Sequence, residues 1–536
     1  YSVPMSIKTT MDRSIQDVVN NVTYGTGGYT FVDDKVQMGM AITSTKDGSV
    51  IALSGGRNYQ AAGLNRATDI SRQPGSTAKP IFDYGPYIEY QNGSTSSYFF
   101  DEPYTYSSGG SVKNYDNRYK GMITMRDALV DSRNIPALQA FQAVDSNKIA
   151  EFAHNLGIDY GEGLYESCSI GGFDGVNPLQ MSAAYAAFGR GGDYIAPYGY
   201  TEITYLESDK TIKYNYDKIE VMSEETAYMV TDMLVTGGAS GVGGSIRVSG
   251  TEVAAKGGTT TMDASSRKAL GLPDSVTPDH WNNTYTSDYS ISLWYGYDRL
   301  SKGGSYITST PGSKARRGIM AAVANKVYKK NAKFTKPSGV VNITVERETI
   351  PATLPSENTP DDMKMSALYK SGTEPTEAST RYSTLDNPTN GSFTASGTTV
   401  NLTWTAIKTP DAIDETALAN YFNTGYGQFA DKYYQRRLAY NASYIGSIGY
   451  EVYLNNNGNL TYLGFTNNNS YSYNGDGISN YTFVIKSAYS IFKNNRSSGL
   501  TITSKYANPV IPTVPDTTTD TTTSNSQTTT VIPGTP

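Results

Sequence analysis

The segment Val36-Gln-Met-Gly-Met-Ala-Ile-Thr-Ser44 and the run Ser49-Val-Ile-Ala-Leu53 flank Lys46-Asp-Gly48, which predicts two strands joined by a tight turn. A Gly-rich loop then leads into residues 72–80. Between Thr124 and Phe152 the apolar positions Met125, Leu129, Ile135, Leu138, Phe141 and Ile149 predict helices interrupted at Pro136. Leu179–Phe188 reads as a further helix, stopped by Gly189-Arg-Gly-Gly192, and another starts near Ser223, where Glu224 and Glu225 suit a positive helix N-terminus. The run Ser290-Ile-Ser-Leu-Trp-Tyr-Gly-Tyr297 is a core strand in this reading. The expected fold class is α+β, an antiparallel sheet flanked by helices.

The pattern changes twice towards the C-terminus. Residues 332–383 are rich in Pro, Thr, Ser and Glu and read as a connector. Beyond them the apolar period is two, at Val400, Leu402 and Trp404, at Tyr450, Val452 and Leu454, and at Tyr481, Phe483 and Ile485. That predicts a small β-sandwich, with a helical insertion between Ile413 and Leu438. The expected organisation is a linker or start of the catalytic region over 1–35, a catalytic domain over 36–335, a connector over 336–383, a sandwich over 384–504 and a Thr-rich flexible tail over 505–536.

Composition narrows the function. A chain of 536 residues exceeds what one core usually covers, and a net charge of −6 gives no reason to expect nucleic acid as a partner. The single Cys168 forbids an internal disulfide, which suits a reducing compartment or a bacterial exported protein. No apolar run reaches the ~18–20 residues of a membrane span. The start Tyr1-Ser-Val-Pro reads as a processed or excised piece, with any anchor upstream of it.

The histidines are only His154 and His280, so a Ser-His-Asp triad or a zinc site has few residues to draw on, and no metal or cofactor is expected. Ser76-Thr-Ala-Lys79 offers another route. On a helix, Ser76 and Lys79 share one face with Cβ atoms about 5–6 Å apart, close enough for the amine to take the hydroxyl proton. The spacing recurs at Ser490-Ile-Phe-Lys493 and is therefore weak alone. What distinguishes the first copy is that Ser132-Arg-Asn134 and Lys256-Gly-Gly-Thr259 follow it in order within one predicted domain. Cys168 reads as a small buried hydrophobe and His154 as structural rather than catalytic, and the 44 tyrosines and three tryptophans form no regular repeat that would indicate a sugar site.

This ordered set, with Asn65-Arg-Ala-Thr68, Arg72-Gln-Pro-Gly75, Asn114-Tyr-Asp116, Thr124-Met-Arg-Asp-Ala-Leu129 and Asn177-Pro-Leu-Gln-Met181, resembles the transpeptidase domain of class A, bifunctional penicillin-binding proteins over residues 1–335. Asn401-Leu-Thr-Trp404 and Tyr481-Thr-Phe-Val-Ile485 are similar to a fibronectin type III module. The first resemblance implies a penicillin-binding, serine β-lactamase-like fold and a D,D-transpeptidase that cross-links peptidoglycan stem peptides and is acylated by β-lactams.

It implies Ser76 as nucleophile, Lys79 as base, and Ser132 as a relay between Lys79 and Lys256. Asn134 and Thr259 would bind substrate, with Thr260 or Thr261 standing in for the hydroxyl that Gly257 lacks, and the N–H groups of Ser76 and Thr259 would form the oxyanion hole. For Lys79 to act at neutral pH its pKa must fall from ~10.4 to about 7–8. Gly257 departs from the family, which has Thr or Ser there. Tyr115-Asp-Asn117 resembles a Tyr-x-Asn element used by some relatives, but Ser132 fits the role better.

A D,D-carboxypeptidase, and a non-catalytic wall sensor or scaffold, are the alternatives. A class A β-lactamase is disfavoured by the missing Glu-x-x-Leu-Asn element. The resemblance further implies a donor stem peptide ending in D-Ala-D-Ala, an amine acceptor, and cell-wall polymer or division and elongation proteins as partners of the sandwich. It places the protein outside the cytoplasm, anchored upstream of Tyr1 in a Gram-positive envelope.

Overall fold

A computed structural model describes residues 3–242, 244–424 and 429–506. The chain divides into two units, Tyr1–Ser379 and Thr380–Pro536.

The first unit is built on a five-stranded antiparallel sheet. Its order is Ala254–Thr259 at one edge, then Asp279–Tyr285, Tyr289–Gly296, Gln37–Ser44 and Val50–Ser54. The sheet is buried on both faces, and its strands mix apolar residues with buried polar ones such as Asn282, Asn283, Thr284 and Ser292. Ile291, Leu293 and Tyr295 pack on one side with Ile319, Met320 and Val323 of the Ser309–Val327 helix, and Trp294 faces the opposite side. There the Pro178–Gly189 helix carries Ala183, Ala184, Ala186 and Ala187, small enough to lie close to the sheet. Ser182 ties that contact, sharing a hydrogen bond with the Thr43 hydroxyl at 2.8 Å and donating to Ser290 O at 2.9 Å.

The helices begin where local chemistry directs. Asn177 caps the Pro178–Gly189 helix through Gln180 N–H, and Gln180 returns a bond to Asn177 N–H. Ser223 caps Glu224–Ser240 by accepting from Thr226 N–H. The predicted break at Pro136 is displaced. Pro136 lies in the first turn of Asn134–Gln142, where its missing N–H costs nothing, and the chain breaks instead at Ser132, whose φ is +55°.

Two segments flanking the expected catalytic domain are built into the first unit. Residues 5–9 form a strand against Tyr200–Tyr205, and the Arg13–Thr23 helix buries Ile15, Val19 and Val22, so this stretch is part of the first unit. The expected connector holds two paired strands, Val340–Glu346 and Lys364–Lys370. Its proline-rich composition masked the β-branched run Val340-Val-Asn-Ile-Thr-Val345. Leu368 and Thr95 exchange backbone and side-chain bonds, and Lys370 pairs with Glu89 at 2.9 Å, fixing this hairpin to the body of the unit.

The second unit contains a three-stranded and a four-stranded antiparallel sheet around Val400, Leu402, Trp404, Tyr450, Val452, Phe483 and Ile485. The period-two positions are thus its core. Helices Glu415–Asn423 and Ala430–Tyr440 interrupt it where the apolar spacing changed. The Thr-rich tail lies, from residue 507 onward, outside the described residues.

Candidate functional site

Ser76 lies in a single 3₁₀ turn, Gly75–Ala78, that runs on into the helical segment ending at Gln91. The turn is pressed against the sheet edge. Gly75 has φ +56°, and a Cβ there would lie 2.3 Å from Thr259 O; a Cβ on Gly258 would lie 2.2 Å from Pro74 O. No side chain fits at either position, so these two glycines set how closely the Ser76 turn approaches Thr259. Trp281 Nε1 donates to Gln73 O and Tyr185 OH donates to Thr77 O, each at 2.8 Å, bracing the turn from the core.

Lys79 is fully buried. Its ammonium donates to Ser132 O at 2.7 Å, Arg133 O at 2.9 Å and Asn134 Oδ1 at 2.8 Å. Three donated bonds use all three protons, so this arrangement is that of the charged amine, and none of its protons goes to Ser76. A neutral amine would release one acceptor and turn a lone pair outward. Burial lowers Lys79 to about 7, with Arg133 adding to the effect and Asp83 and Asp101 opposing it. The value is the one a base at neutral pH requires.

Ser132 meets both lysines through different atoms. Its left-handed backbone turns its carbonyl to Lys79, while its hydroxyl accepts from Lys256 Nζ at 2.7 Å. Lys256 also donates to Gly257 O at 3.0 Å. Burial, then Lys79 and Arg316, hold Lys256 well below the ordinary lysine range. Asp83, four residues beyond Lys79, is fully buried and neither of its oxygens has a hydrogen-bond partner; burial pushes it well above the carboxylate range.

The structure brings Lys79, Ser132, Asn134 and Lys256 into direct contact and sets Ser76 beside Thr259, both partly exposed. Asn134 is already engaged, since its Nδ2 donates to Lys113 O at 2.6 Å. Thr260 is the exception. Strand alternation turns it inward, where its hydroxyl donates to Asp279 Oδ2 at 2.9 Å and accepts from Asp279 N–H, so it is not placed to bind substrate. The second Ser-x-x-Lys is not assembled: Ser490 accepts from Ser447 N–H and Lys493 pairs with Glu451. Cys168 is buried, and His154 is exposed in the last turn of its helix.

Spacing alone could not reveal what holds the Ser132 turn. Arg133, fully buried, donates through Nε to Asp101 at 2.7 Å and pairs with Asp116 at 3.0 Å. Asn114 donates to Asp101 and to Arg118 O, and accepts from Asn134 N–H at 2.8 Å. Asn114-Tyr-Asp116, noted only as part of a resemblance, is therefore the support of this turn. Asp116 of the Tyr115-Asp-Asn117 stretch binds Arg133. Among the described residues no His, Cys, Asp and Glu cluster is placed to hold a metal ion, and no helix is long and apolar enough to cross a membrane.

The penicillin-binding protein transpeptidase domain family matches residues 38–270, and the penicillin-binding protein 1A C-terminal domain family matches residues 336–384, the paired-strand segment described above. Penicillin-binding protein 1A/1B of Bacillus subtilis is 39% identical over 383 residues, covering 70% of this chain and 41% of that protein. Penicillin-binding protein 1A of Streptococcus oralis is 34% identical over 306 residues, covering 55% of this chain and 48% of that protein. The chain thus spans less than half of these relatives' length.

The penicillin-binding protein PonA1 of Mycobacterium tuberculosis shares the fold, with a TM-score of 0.53 at 18% identity over 62% of this chain and 88% of that one. Residues 38–270 thus carry a penicillin-binding protein transpeptidase domain, followed over residues 336–384 by a 1A-type C-terminal domain.

Proposed function

We propose that the protein is a serine D,D-transpeptidase acting outside the cytoplasm on peptidoglycan stem peptides, and that β-lactams acylate it at Ser76. The observation that carries this reading is the fully buried Lys79, lowered to about 7 beside a partly exposed serine. In the proposed reaction neutral Lys79 takes the Ser76 proton as Oγ bonds to the penultimate D-alanine carbonyl. The N–H groups of Ser76 and Thr259 hold the developing oxyanion. As the C–N bond breaks, a proton passes through Ser132 to the departing D-alanine amine. An amine of a second stem then attacks the ester carbonyl, the bond from that carbon to Ser76 Oγ breaks, and the proton lost by the amine returns to Oγ through Lys79.

Lys256 and Thr259 are assigned to the donor's terminal carboxylate and Asn134 to its backbone. Thr260 is left out because its hydroxyl is bound to Asp279. The two-sheet C-terminal unit is read as a fibronectin type III-like module facing wall polymer in a Gram-positive envelope. Incubating the protein with a D-Ala-D-Ala donor peptide and an amine acceptor tests the assignment. Cross-linked product supports it, and hydrolysis alone at abundant acceptor would instead make the enzyme a carboxypeptidase.

A further inference from the structure

Arg316 is a buried cation that the acylation chemistry above does not use. It lies on the Ser309–Val327 helix and is only 3% exposed. Its Nη1 donates to Gly258 O and also to Trp281 O at 2.8 Å, the carbonyls of two residues directly opposite each other in the sheet. Its Nε has no hydrogen-bond partner, and among the described residues no carboxylate pairs with it. A buried guanidinium without a counter-charge is costly, so this one is not explained as a stabilising ion pair.

Its position follows from the sequence. Gly312 precedes Arg316 by four residues and so shares its helix face. A Cβ on Gly312 would fall 2.0 Å from the His280 ring, so the helix lies against the sheet only because that side chain is missing. The approach delivers the guanidinium to the sheet carbonyls.

The carbonyl of Gly258 and the N–H of Thr259 belong to one planar, trans peptide unit and point in opposite directions. Gly258 faces its partner strand, and Thr259 N–H therefore points to the open edge, where the Gly75 backbone meets Thr259. A cation bonded to the oxygen of an amide draws electron density from its nitrogen and makes the N–H a stronger donor.

We propose that Arg316 is a positioning residue for acyl transfer, fixing and polarising the Gly258–Thr259 peptide so that the Thr259 N–H is aimed and strengthened as an oxyanion donor. This rests on the acyl-transfer reading. The guanidinium itself touches no substrate. Burial lowers Arg316 to about 9, which leaves it charged at neutral pH. The charged groups around it are Lys256 on the edge strand and Arg317 on its own helix, both cations, with the buried His280 ring beside it.

The test compares the whole chain with Arg316→Met and Arg316→Lys during acylation by benzylpenicillin, where the Ser76 Oγ–C bond forms, the lactam C–N bond breaks and the serine proton ends on the lactam nitrogen. Arg316→Met is expected to lower the saturating acylation rate roughly tenfold, short of the ~10²–10³ that removal of a whole oxyanion donor costs. The concentration giving half-maximal rate should stay within about twofold, because the effect grows with charge in the transition state. Arg316→Lys, which keeps a cation and a donor, should recover part of the rate. In infrared spectra the ester carbonyl of the acyl-enzyme should move to higher frequency in Arg316→Met, and by less in Arg316→Lys.

A variant that unfolds cooperatively yet acylates at the wild-type saturating rate with an unshifted carbonyl would overturn the proposal, as would a loss confined to half-saturation. Should Arg316→Met fail to fold, the carbonyl shift in Arg316→Lys decides. Failure of the wild type to acylate is a separate result, and it would remove the acyl-transfer reading itself.

Discussion

Lys79 fixes a pH dependence that can be worked out from its surroundings. Burial brings it from 10.5 to about 7, against the pull of Asp83 and Asp101 and with the help of Arg133. At 1.36 kcal/mol per pH unit, that change is a differential cost of ~5 kcal/mol for the charged amine in the site. At pH 7 about half of the enzyme then carries the neutral base, whereas an ordinary lysine would supply roughly one molecule in 3,000. The neutral form is the active one, so acylation is lost as pH falls.

The rate at subsaturating penicillin should be level above about pH 8, halve near pH 7 and drop roughly tenfold per unit below about pH 6. Stopped-flow labelling with a fluorescent penicillin from pH 5 to 9 measures this directly. A rate independent of pH from 5 to 8, or one still climbing towards pH 10, would refute the reasoning about Lys79.

Two further outcomes follow from the support around the site. Asp101→Asn removes one partner of the fully buried Arg133; breaking a buried pair this way should cost about 3–5 kcal/mol in urea unfolding, and slower penicillin labelling should accompany it because the Ser132 turn is loosened. Gly258→Ala places a Cβ 2.2 Å from Pro74 O and must push the Ser76 turn away from Thr259. A displacement near 1 Å should cost about 10²-fold in acylation, with little change in thermal unfolding, and unchanged acylation would show that the close approach is not needed.

The sequence made the functional segments legible because their chemistry is local: a hydroxyl and an amine three residues apart, and two later motifs in order. It could not supply the atoms that connect them. Lys79 is held by the carbonyls of Ser132 and Arg133, and no side-chain pattern announces a backbone acceptor or the left-handed turn that aims one. The Asp101, Asn114 and Asp116 cradle for Arg133, and the reach of Arg316 to Gly258, join residues distant in the chain.

Thr260 faces Asp279 rather than the cleft for a related reason. Whether the strand alternation turned it to the cleft or to Asp279 depended on register, which spacing does not give. In the fold, the strands Gln37–Ser44, Val50–Ser54 and Tyr289–Gly296, the helices Pro178–Gly189 and Glu224–Ser240 and the period-two sandwich core followed from apolar pattern, whereas the polar strand Asp279–Tyr285 and the helices Arg13–Thr23 and Ser309–Val327 did not. The hairpin at 340–370 did not, because Pro, Ser and Thr around it diluted a short β-branched run.

The central claim is that Ser76 is the nucleophile, and the most direct measurement is mass spectrometry of the intact protein and its peptides after exposure to benzylpenicillin. The account predicts one penicilloyl group per chain, located on the peptide containing Ser76 and absent from Ser76→Ala. An unmodified wild-type protein, or an equal adduct on Ser76→Ala, would contradict it.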